Sequence, residues 1–181
     1  MNISIFLSYP KPFMKEQEEF ISKLVLQLNN LGFAARTLGV TDYDINAPLN
    51  AIRRLMLESN GLITIAFRRL YIGSGISKPN PDLKFQSAIK INEKWITSPW
   101  AHIEPAMAFQ LGLPILIIRE KGVIDEGILA KGVVGVYMPE FNLETNIDKY
   151  FETIEWKEII GKWSGYVRSV VEKKGSPPKL Y

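Results

Sequence analysis

Pro114-Ile115-Leu116-Ile117-Ile118 is an unbroken apolar run in the second half of this 181-residue chain. Its β-branched composition and lack of polar alternation are typical of a central strand in a parallel sheet, covered on both faces. Toward the N-terminus, Ile3 to Leu7, Phe33 to Leu38 and Leu62 to Phe67 have the same character, and Val133 to Tyr137 predicts a shorter fifth strand. These runs predict the strands of one sheet.

Segments with helical spacing of apolar residues separate the strands. They are Met14 to Leu31, Pro48 to Ser59, Trp100 to Leu111 and Ile147 to Val171. Gly161 and Gly165 interrupt the last segment and predict a break there between two helices. Alternating strands and helices predict an α/β fold with a parallel sheet and right-handed crossovers.

The stretch from Arg68 to Ser98 is too long for an ordinary connection, for which the median is about 4 to 6 residues. It predicts a lid, a binding loop or a flexible insertion, with a short helix at Leu83 to Ile91. The segment from Arg119 to Lys131 predicts a loop with one helical turn. We expect a single domain over residues 1–175, with this insertion at 68–98, a helical region at 146–172 and a tail at 176–181.

Composition excludes several classes of function. The net charge is only +3 and the basic residues are dispersed, which is not the footprint of a nucleic-acid binder. With no cysteine and a single histidine, His102, a metal site, thiolate catalysis or a Ser-His-Asp triad is not expected. The sequence lacks an apolar run long enough for a membrane span and an N-terminal signal pattern, so we expect a cytoplasmic protein without a membrane partner.

In an open parallel sheet, ligands bind beyond the carboxyl ends of the strands. The side chains that the sequence places near that edge are Ser8, Tyr9, Arg36, Asp42, Arg68, Trp100 and Glu104. Aromatic rings can stack on a base, and guanidinium groups can pair with phosphates. Packing for the aromatic residues and simple solvent exposure for the arginines are the alternatives. Neither a GxxxxGK[ST] loop nor a GxGxxG sequence after the first strand is present.

Glu104 is the first candidate for chemistry, because its neighbours Ile103, Ala106 and Met107 are apolar. A buried carboxylate is costly unless it has partners or a task. A place at a solvated rim, or as a helix cap, is the alternative. Pro105 disfavours helical geometry at Glu104, so the helix is either kinked here or begins at Pro105.

The chain resembles the Toll/interleukin-1 receptor (TIR) family, in particular bacterial enzymatic TIR-like proteins, and the related nucleoside 2-deoxyribosyltransferase-like superfamily. The resemblance lies in the opening strand that ends in Ser8-Tyr9, in the loop from Thr41 to Pro48, and in Ser98-Pro99-Trp100-Ala101-His102-Ile103-Glu104, which matches a Ser-x-Trp-x-x-x-Glu pattern. It covers roughly residues 3–137. It implies a flavodoxin-like three-layer fold with strand order 2-1-3-4-5.

The resemblance also implies an activity: cleavage of the bond between nicotinamide and ribose in NAD, by an NAD glycohydrolase or ADP-ribosyl cyclase. NAD is then a substrate and no cofactor is needed. Glu104 corresponds to the catalytic glutamate, and Ser8, Tyr9, Arg36, Asp42, Arg68 and Trp100 are expected to bind the substrate. TIR-type self-association, an ADP-ribose-derived signal in anti-phage defence and a downstream effector that senses it follow by analogy. A nucleoside or nucleotide N-glycosidase, a deoxyribosyltransferase and a non-catalytic interaction or nucleotide-sensing module are the alternatives.

Overall fold

A computed structural model describes residues 2–135 and 137–173. The strands are β1 (Ile3–Ser8), β2 (Phe33–Arg36), β3 (Leu62–Ala66), β4 (Leu70–Ser77), β5 (Ile89–Ile96), β6 (Ile115–Glu120) and β7 (Glu140–Phe141). The helices are α1 (Lys15–Asn30), α2 (Pro48–Leu57), α3 (Trp100–Gln110), α4 (Ile147–Glu152) and α5 (Ile154–Glu172), with a 3-10 turn at Gly127–Leu129.

Five parallel strands form the central sheet in the order β2-β1-β3-β6-β7. This confirms the predicted α/β class with a five-stranded parallel sheet, consistent with a flavodoxin-like fold. The numbering differs from the predicted 2-1-3-4-5 because two more strands, β4 and β5, intervene in the chain and pair in a separate antiparallel hairpin.

The sheet is covered on both faces because alternate side chains of each strand point in opposite directions. Ile5 and Leu7 of β1 belong to a core cluster that includes Phe20 of α1 and Trp156 of α5. Phe6, between them, belongs to a second cluster, which includes residues of α2 and α3. The three layers are therefore α1 with α5, the sheet, and α2 with α3.

The predicted fifth strand at Val133 to Tyr137 is wrong as far as the structure describes it. Val133 lies in a turn, in which the N–H of Gly132 donates to the Gly135 carbonyl at 2.8 Å, and the strand beside β6 is β7 instead. Phe141 of β7 stacks on Phe20, with ring centroids 4.2 Å apart. Burial of this ring against α1 selects the later segment as the edge strand.

The insertion is a β-hairpin, and the predicted helix at Leu83 to Ile91 is wrong. Residues 83–85 are bends and turns, Phe85 has φ +65°, and Ile89 already belongs to β5. Cross-strand pairing of β4 with β5, including the Tyr71–Trp95 ring pair at 4.9 Å, orders the segment. The loop predicted over Arg119 to Lys131 does contain one helical turn.

The C-terminal helical region is divided at Thr153, and the predicted break at Gly161 and Gly165 is wrong. Thr153 ends α4 and caps α5, because its hydroxyl accepts from the Trp156 N–H at 3.1 Å. Helix α5 continues through both glycines, at a cost of roughly 1 kcal/mol each relative to alanine. The tail predicted at 176–181 lies outside the described residues. Among those residues, no helix is long and apolar enough to cross a membrane.

Candidate functional site

Strands β1, β3 and β6 end at the same edge of the sheet because they are parallel. Ser8, the last residue of β1, is in register with Thr64 of β3. Helix α3, which packs against β1 and β3, begins after the hairpin returns to this edge. This arrangement brings the end of β1 to the first turns of α3.

Glu104 and Ser8 are in direct contact, although 96 residues separate them in the chain. The Ser8 hydroxyl donates a hydrogen bond to Oε2 of Glu104. Both side chains are almost fully buried, with 4% exposure for Ser8 and 8% for Glu104. The alternative of an exposed rim or capping role for Glu104 is therefore wrong: its carboxyl group lies inside the protein.

Burial raises the pKa of Glu104 from 4.5 to about 7, although the hydrogen bond from Ser8 acts in the opposite direction. Desolvation has this effect because it penalises the charged form of a carboxyl group. None of the ion pairs found among the described residues includes Glu104. Near neutral pH this carboxyl group can exist as either acid or base, which suits it to act on a bound ligand.

Two buried hydroxyls, one beside Ser8 in the sheet and one shortly before α3, were missed by sequence reasoning. Thr64 points to the same side of the sheet as its register partner Ser8, and Thr97 lies three residues before α3. Neither hydroxyl has a hydrogen-bond partner among the described residues. A hydroxyl inside the otherwise apolar β3 run was a signal for Thr64.

Trp100 is the first residue of α3 and lies one helical turn before Glu104. The helix begins at Trp100 and not at Pro105, which is accommodated inside it. Residues four apart share one face of a helix, so both side chains lie on the same side of α3. Trp100 remains 39% exposed. Its side chain is therefore accessible to solvent one helical turn from the buried Glu104.

Tyr9 lies on the opposite side of the sheet from Glu104. Strand alternation turns Ser8 toward α3, and Tyr9 packs instead against the core cluster that includes α1. Burial raises the pKa of its phenol. Tyr9 lines a cleft of about 630 Å³ together with Lys11 and Thr37. The structure thus does not bring Tyr9 and Glu104 to one face of the sheet.

Arg36 and Asp42 are brought together, but as partners of each other. The Arg36 guanidinium forms an ion pair with Asp42 and another with Glu58, the latter at 2.8 Å. The hydrogen bond from Arg36 lowers the pKa of Asp42. These contacts fasten the loop after β2 to the end of α2, so the charge of Arg36 is already compensated.

Arg68 lies two residues beyond the end of β3 and contacts residues at the base of the hairpin. Its Nε donates to the Lys121 carbonyl at 2.6 Å, its Nη1 pairs with Glu144 at 2.9 Å, and its guanidinium lies 5.7 Å from the centre of the Trp95 ring. Its backbone N–H donates to the buried Glu120 at 2.8 Å. Glu120 was missed by the sequence prediction, although its place directly after an apolar strand was a signal.

A second cleft, of about 480 Å³, lies beside the first turn of α3. Thr97, Pro99, His102, Ile103 and Gly127 are among its lining residues. Its lining includes His102 and Ile103, which directly precede Glu104, but not Glu104 itself, and the cleft of about 630 Å³ lies across the sheet. In the part of the chain that the structure describes, no group of three His, Asp or Glu side chains is placed to hold a metal ion.

Comparison with protein-family models and with curated protein sequences found no match. Comparison with solved structures found a Clostridium botulinum CMP N-glycosidase, BcmB, at 17% identity and a TM-score of 0.47, covering 84% of this chain and 98% of that one. It also found the TIR domains of the activated Roq1 resistosome, which recognises the pathogen effector XopQ. The identity there is 12% and the TM-score 0.41, covering 94% of this chain and 84% of that one. At these values neither likeness assigns a function to this chain.

Proposed function

We propose that this protein is an N-glycosidase that cleaves NAD between nicotinamide and ribose, with Glu104 as its catalytic carboxylate. The observation that carries the proposal is the buried contact between Ser8 and Glu104 at the carboxyl edge of a parallel sheet. Ligands bind at this edge in open α/β folds. A carboxyl group that is desolvated there, without a cationic partner among the described side chains, is suited to a cationic ligand.

The reaction needs no metal and no thiol. The bond between C1′ of the ribose and the pyridinium nitrogen breaks, and its electron pair leaves with nicotinamide, which becomes neutral. Positive charge develops on the ribose, and the Glu104 carboxylate stabilises it. Water then attacks C1′ and loses a proton, which Glu104 can accept, to give ADP-ribose. Attack by a group of the same molecule instead gives a cyclic product.

Ser8 and Trp100 have different roles in this proposal. The Ser8 hydroxyl holds the carboxylate in one orientation, and it stabilises the charged form that the reaction requires. Trp100, exposed one turn away on the same side of α3, offers a face on which the nicotinamide ring stacks. Arg36, Asp42 and Arg68 act through the loops that they fasten, since their charged groups already have partners.

The pH dependence of NAD cleavage follows from the state of Glu104. Because the carboxylate is the active form, kcat/KM rises with pH up to about 7 and then levels off. A bound nicotinamide cation favours the carboxylate, so the corresponding rise in kcat occurs at lower pH. No loss of activity on the alkaline side is required, because the leaving group needs no proton.

A second candidate is a nucleoside or nucleotide N-glycosidase, or a deoxyribosyltransferase. The raised pKa of Glu104 favours it, since a carboxyl group that is protonated near pH 7 can donate a proton to a neutral leaving base. Activity on such a substrate then falls above pH 7. The two candidates thus predict opposite pH profiles for the same carboxyl group.

The deciding experiment incubates the purified protein with NAD, NADP, and a panel of purine and pyrimidine nucleosides and nucleotides. We expect nicotinamide and an ADP-ribose product from NAD. The assay spans a wide range of protein concentration because the TIR resemblance implies self-association. Release of a free base from a nucleotide other than NAD selects the second candidate. A ligand-dependent rise in melting temperature without turnover of any substrate would identify a nucleotide-sensing module instead.

The proposed cellular role depends on the product. An ADP-ribose-derived signal requires a downstream effector that binds it, and anti-phage defence is the role that the resemblance suggests. Product identification by mass spectrometry separates linear, cyclic and conjugated ADP-ribose. If NAD is depleted and no cyclic or conjugated product forms, the loss of NAD itself is the favoured cause of the cellular effect.

A further inference from the structure

The hairpin arm, defined as β4, β5 and the connecting residues 78–88, is a two-stranded sheet of its own. Large apolar side chains are exposed along it: Tyr71 is 51% exposed, Ile76 58% and Ile89 53%. An isolated two-stranded ribbon is only marginally stable in water, and a third strand or a covering layer is normally needed. The arm would therefore be stabilised by a further strand that pairs with its free edge.

The base of the arm is firmly attached to the rest of the protein. The Trp95 N–H donates to the Gly122 carbonyl at 3.0 Å, and the Trp95 carbonyl accepts from the Ile124 N–H at 2.9 Å. These bonds occupy the outer edge of β5 at its C-terminal end. Within residues 2–135 and 137–173, no backbone hydrogen bond of this kind reaches the outer edge of β4.

The two edges also differ in charge and regularity. Strand β5 carries Lys90, Glu93 and Lys94, and Glu93 has φ +51°, which interrupts the pairing between Asn92 and Lys94. Charged residues and such irregularities are the means by which proteins protect an edge strand from pairing. Strand β4 reads Leu-Tyr-Ile-Gly-Ser-Gly-Ile-Ser, without a charge or a proline. Its eight residues form an unprotected edge.

We infer that β4 pairs antiparallel with β4 of a second copy of this chain, which gives a continuous four-stranded sheet in the order β5-β4-β4-β5. Antiparallel pairing of one strand with itself obeys a two-fold axis, so each copy contributes the same surface and the contact closes as a dimer. This contact joins two free edges and covers apolar side chains on both copies.

Charge selects this arrangement over pairing through β5. Contact between two β5 edges would oppose two strands that each carry two lysines against one glutamate, and it would compete with the bonds of Trp95 to Gly122 and Ile124. In the β4 dimer, three strand spacings of about 4.8 Å separate the two β5 strands by about 14 Å. That separation exceeds the Debye length of about 8 Å at physiological ionic strength, so the repulsion is largely screened.

A cross-linking experiment tests the contact directly, because the chain has no cysteine of its own. Ser74, near the middle of β4, is opposite Asn92 of β5, and both are exposed. Ser74→Cys places a thiol at the predicted dimer axis, and Asn92→Cys places one on the same rung of the hairpin but on the far strand. Under mild oxidation in the full-length protein, we expect a disulfide-linked dimer from Ser74→Cys and monomer from Asn92→Cys. Monomer from both, or equal cross-linking of both, overturns the inference.

Sedimentation of the full chain supplies the second measurement. We expect a concentration-dependent dimer. Its dissociation constant should rise about tenfold with Ser74→Lys, because this substitution places two lysines opposite each other at the axis. It should stay unchanged with Asn92→Lys. A wild-type protein that is monomeric at every concentration, or a dimer that is insensitive to Ser74→Lys, contradicts it. Binding of the monomer to anionic lipid vesicles would assign the arm to a membrane surface instead and would also overturn it. None of these results depends on NAD cleavage, so the inference and the proposed function can fail separately.

Discussion

Replacing Glu104 with glutamine should stabilise the protein, and the gain should depend on pH. Glutamine has nearly the same shape, and its side-chain oxygen can still accept the hydrogen bond from Ser8. The wild-type carboxyl group has a pKa of about 7 in the folded protein, against 4.5 as its ordinary value. Between these pH values the folded state holds a proton that the unfolded state has lost, so wild-type stability falls as pH rises.

The size of the effect follows from the same two values. A difference of about 2.5 pKa units, at 1.36 kcal/mol per unit, amounts to roughly 3 kcal/mol. Below pH 4.5 both states of the wild type are protonated and this penalty is absent. It grows between pH 4.5 and 7 and is fully present above pH 7. Glu104→Gln does not carry it, so the stability difference between the two proteins should grow by about 3 kcal/mol over that range.

Urea unfolding of both proteins at several pH values from 4 to 8 measures this difference. The same substitution at the exposed Glu152 controls for the loss of one negative charge from the protein. A difference between Glu104→Gln and wild type that stays constant with pH would refute the reasoning, because it would mean that Glu104 is not desolvated in the folded protein. A difference that falls toward high pH would contradict the sign of the pKa shift.

Three further results are expected. Ser8→Ala removes the hydroxyl that stabilises the carboxylate, so the pKa of Glu104 should rise by about one to two units, which nuclear magnetic resonance titration of ¹³C-labelled glutamate measures. Gly61→Ala should destabilise the fold by about 1 to 3 kcal/mol, as read from denaturant unfolding, because the new Cβ would lie 2.6 Å from Cγ2 of Val167. Trp95→Ala removes the ring that anchors the hairpin arm, so trypsin should cleave the arm faster than in the wild type. The melting temperature of the whole protein should change little, because the arm lies outside the central sheet.

The sequence was sufficient to predict the parallel sheet because its strands are short continuous apolar runs. A buried strand is the expected structure for Ile115 to Ile118 and for Leu62 to Phe67, and both form strands. The helix predicted at Met14 to Leu31 is observed as Lys15–Asn30. The last strand was misplaced because it has only two residues, and packing of Phe141 on Phe20 decides its position. Such a contact between residues far apart in the chain has no local signal.

The hairpin arm was missed for a related reason. Its strands contain glycine, serine and lysine in place of a strong apolar alternation, so the pattern was closer to that of a loop. Pairing between the two strands, and the anchoring of Trp95 at the base, order the segment. The glycines of α5 predicted a break that the structure does not have. Burial of Trp156 and Trp163 outweighs the low helix propensity of these glycines.

Within the candidate site, the sequence placed Glu104 near the carboxyl edge of the sheet but did not reveal its environment. The Ser8–Glu104 contact joins residues 96 positions apart, and only the fold shows that it is buried. Tyr9 was grouped with them because it follows Ser8, whereas strand alternation places it on the other face of the sheet. Substrate binding by Ser8, Tyr9, Arg36, Asp42, Arg68 and Trp100 stays a prediction.

The rate of nicotinamide release from NAD, measured side by side for the wild type and Glu104→Gln, tests the central claim most directly. Because the neutral amide keeps the shape but not the charge that stabilises the developing ribose cation, we expect the variant rate to fall by about a thousandfold or more. Unfolding of both proteins under the same conditions confirms that the variant is folded. Equal rates for the two folded proteins would remove Glu104 from the chemistry and contradict the account.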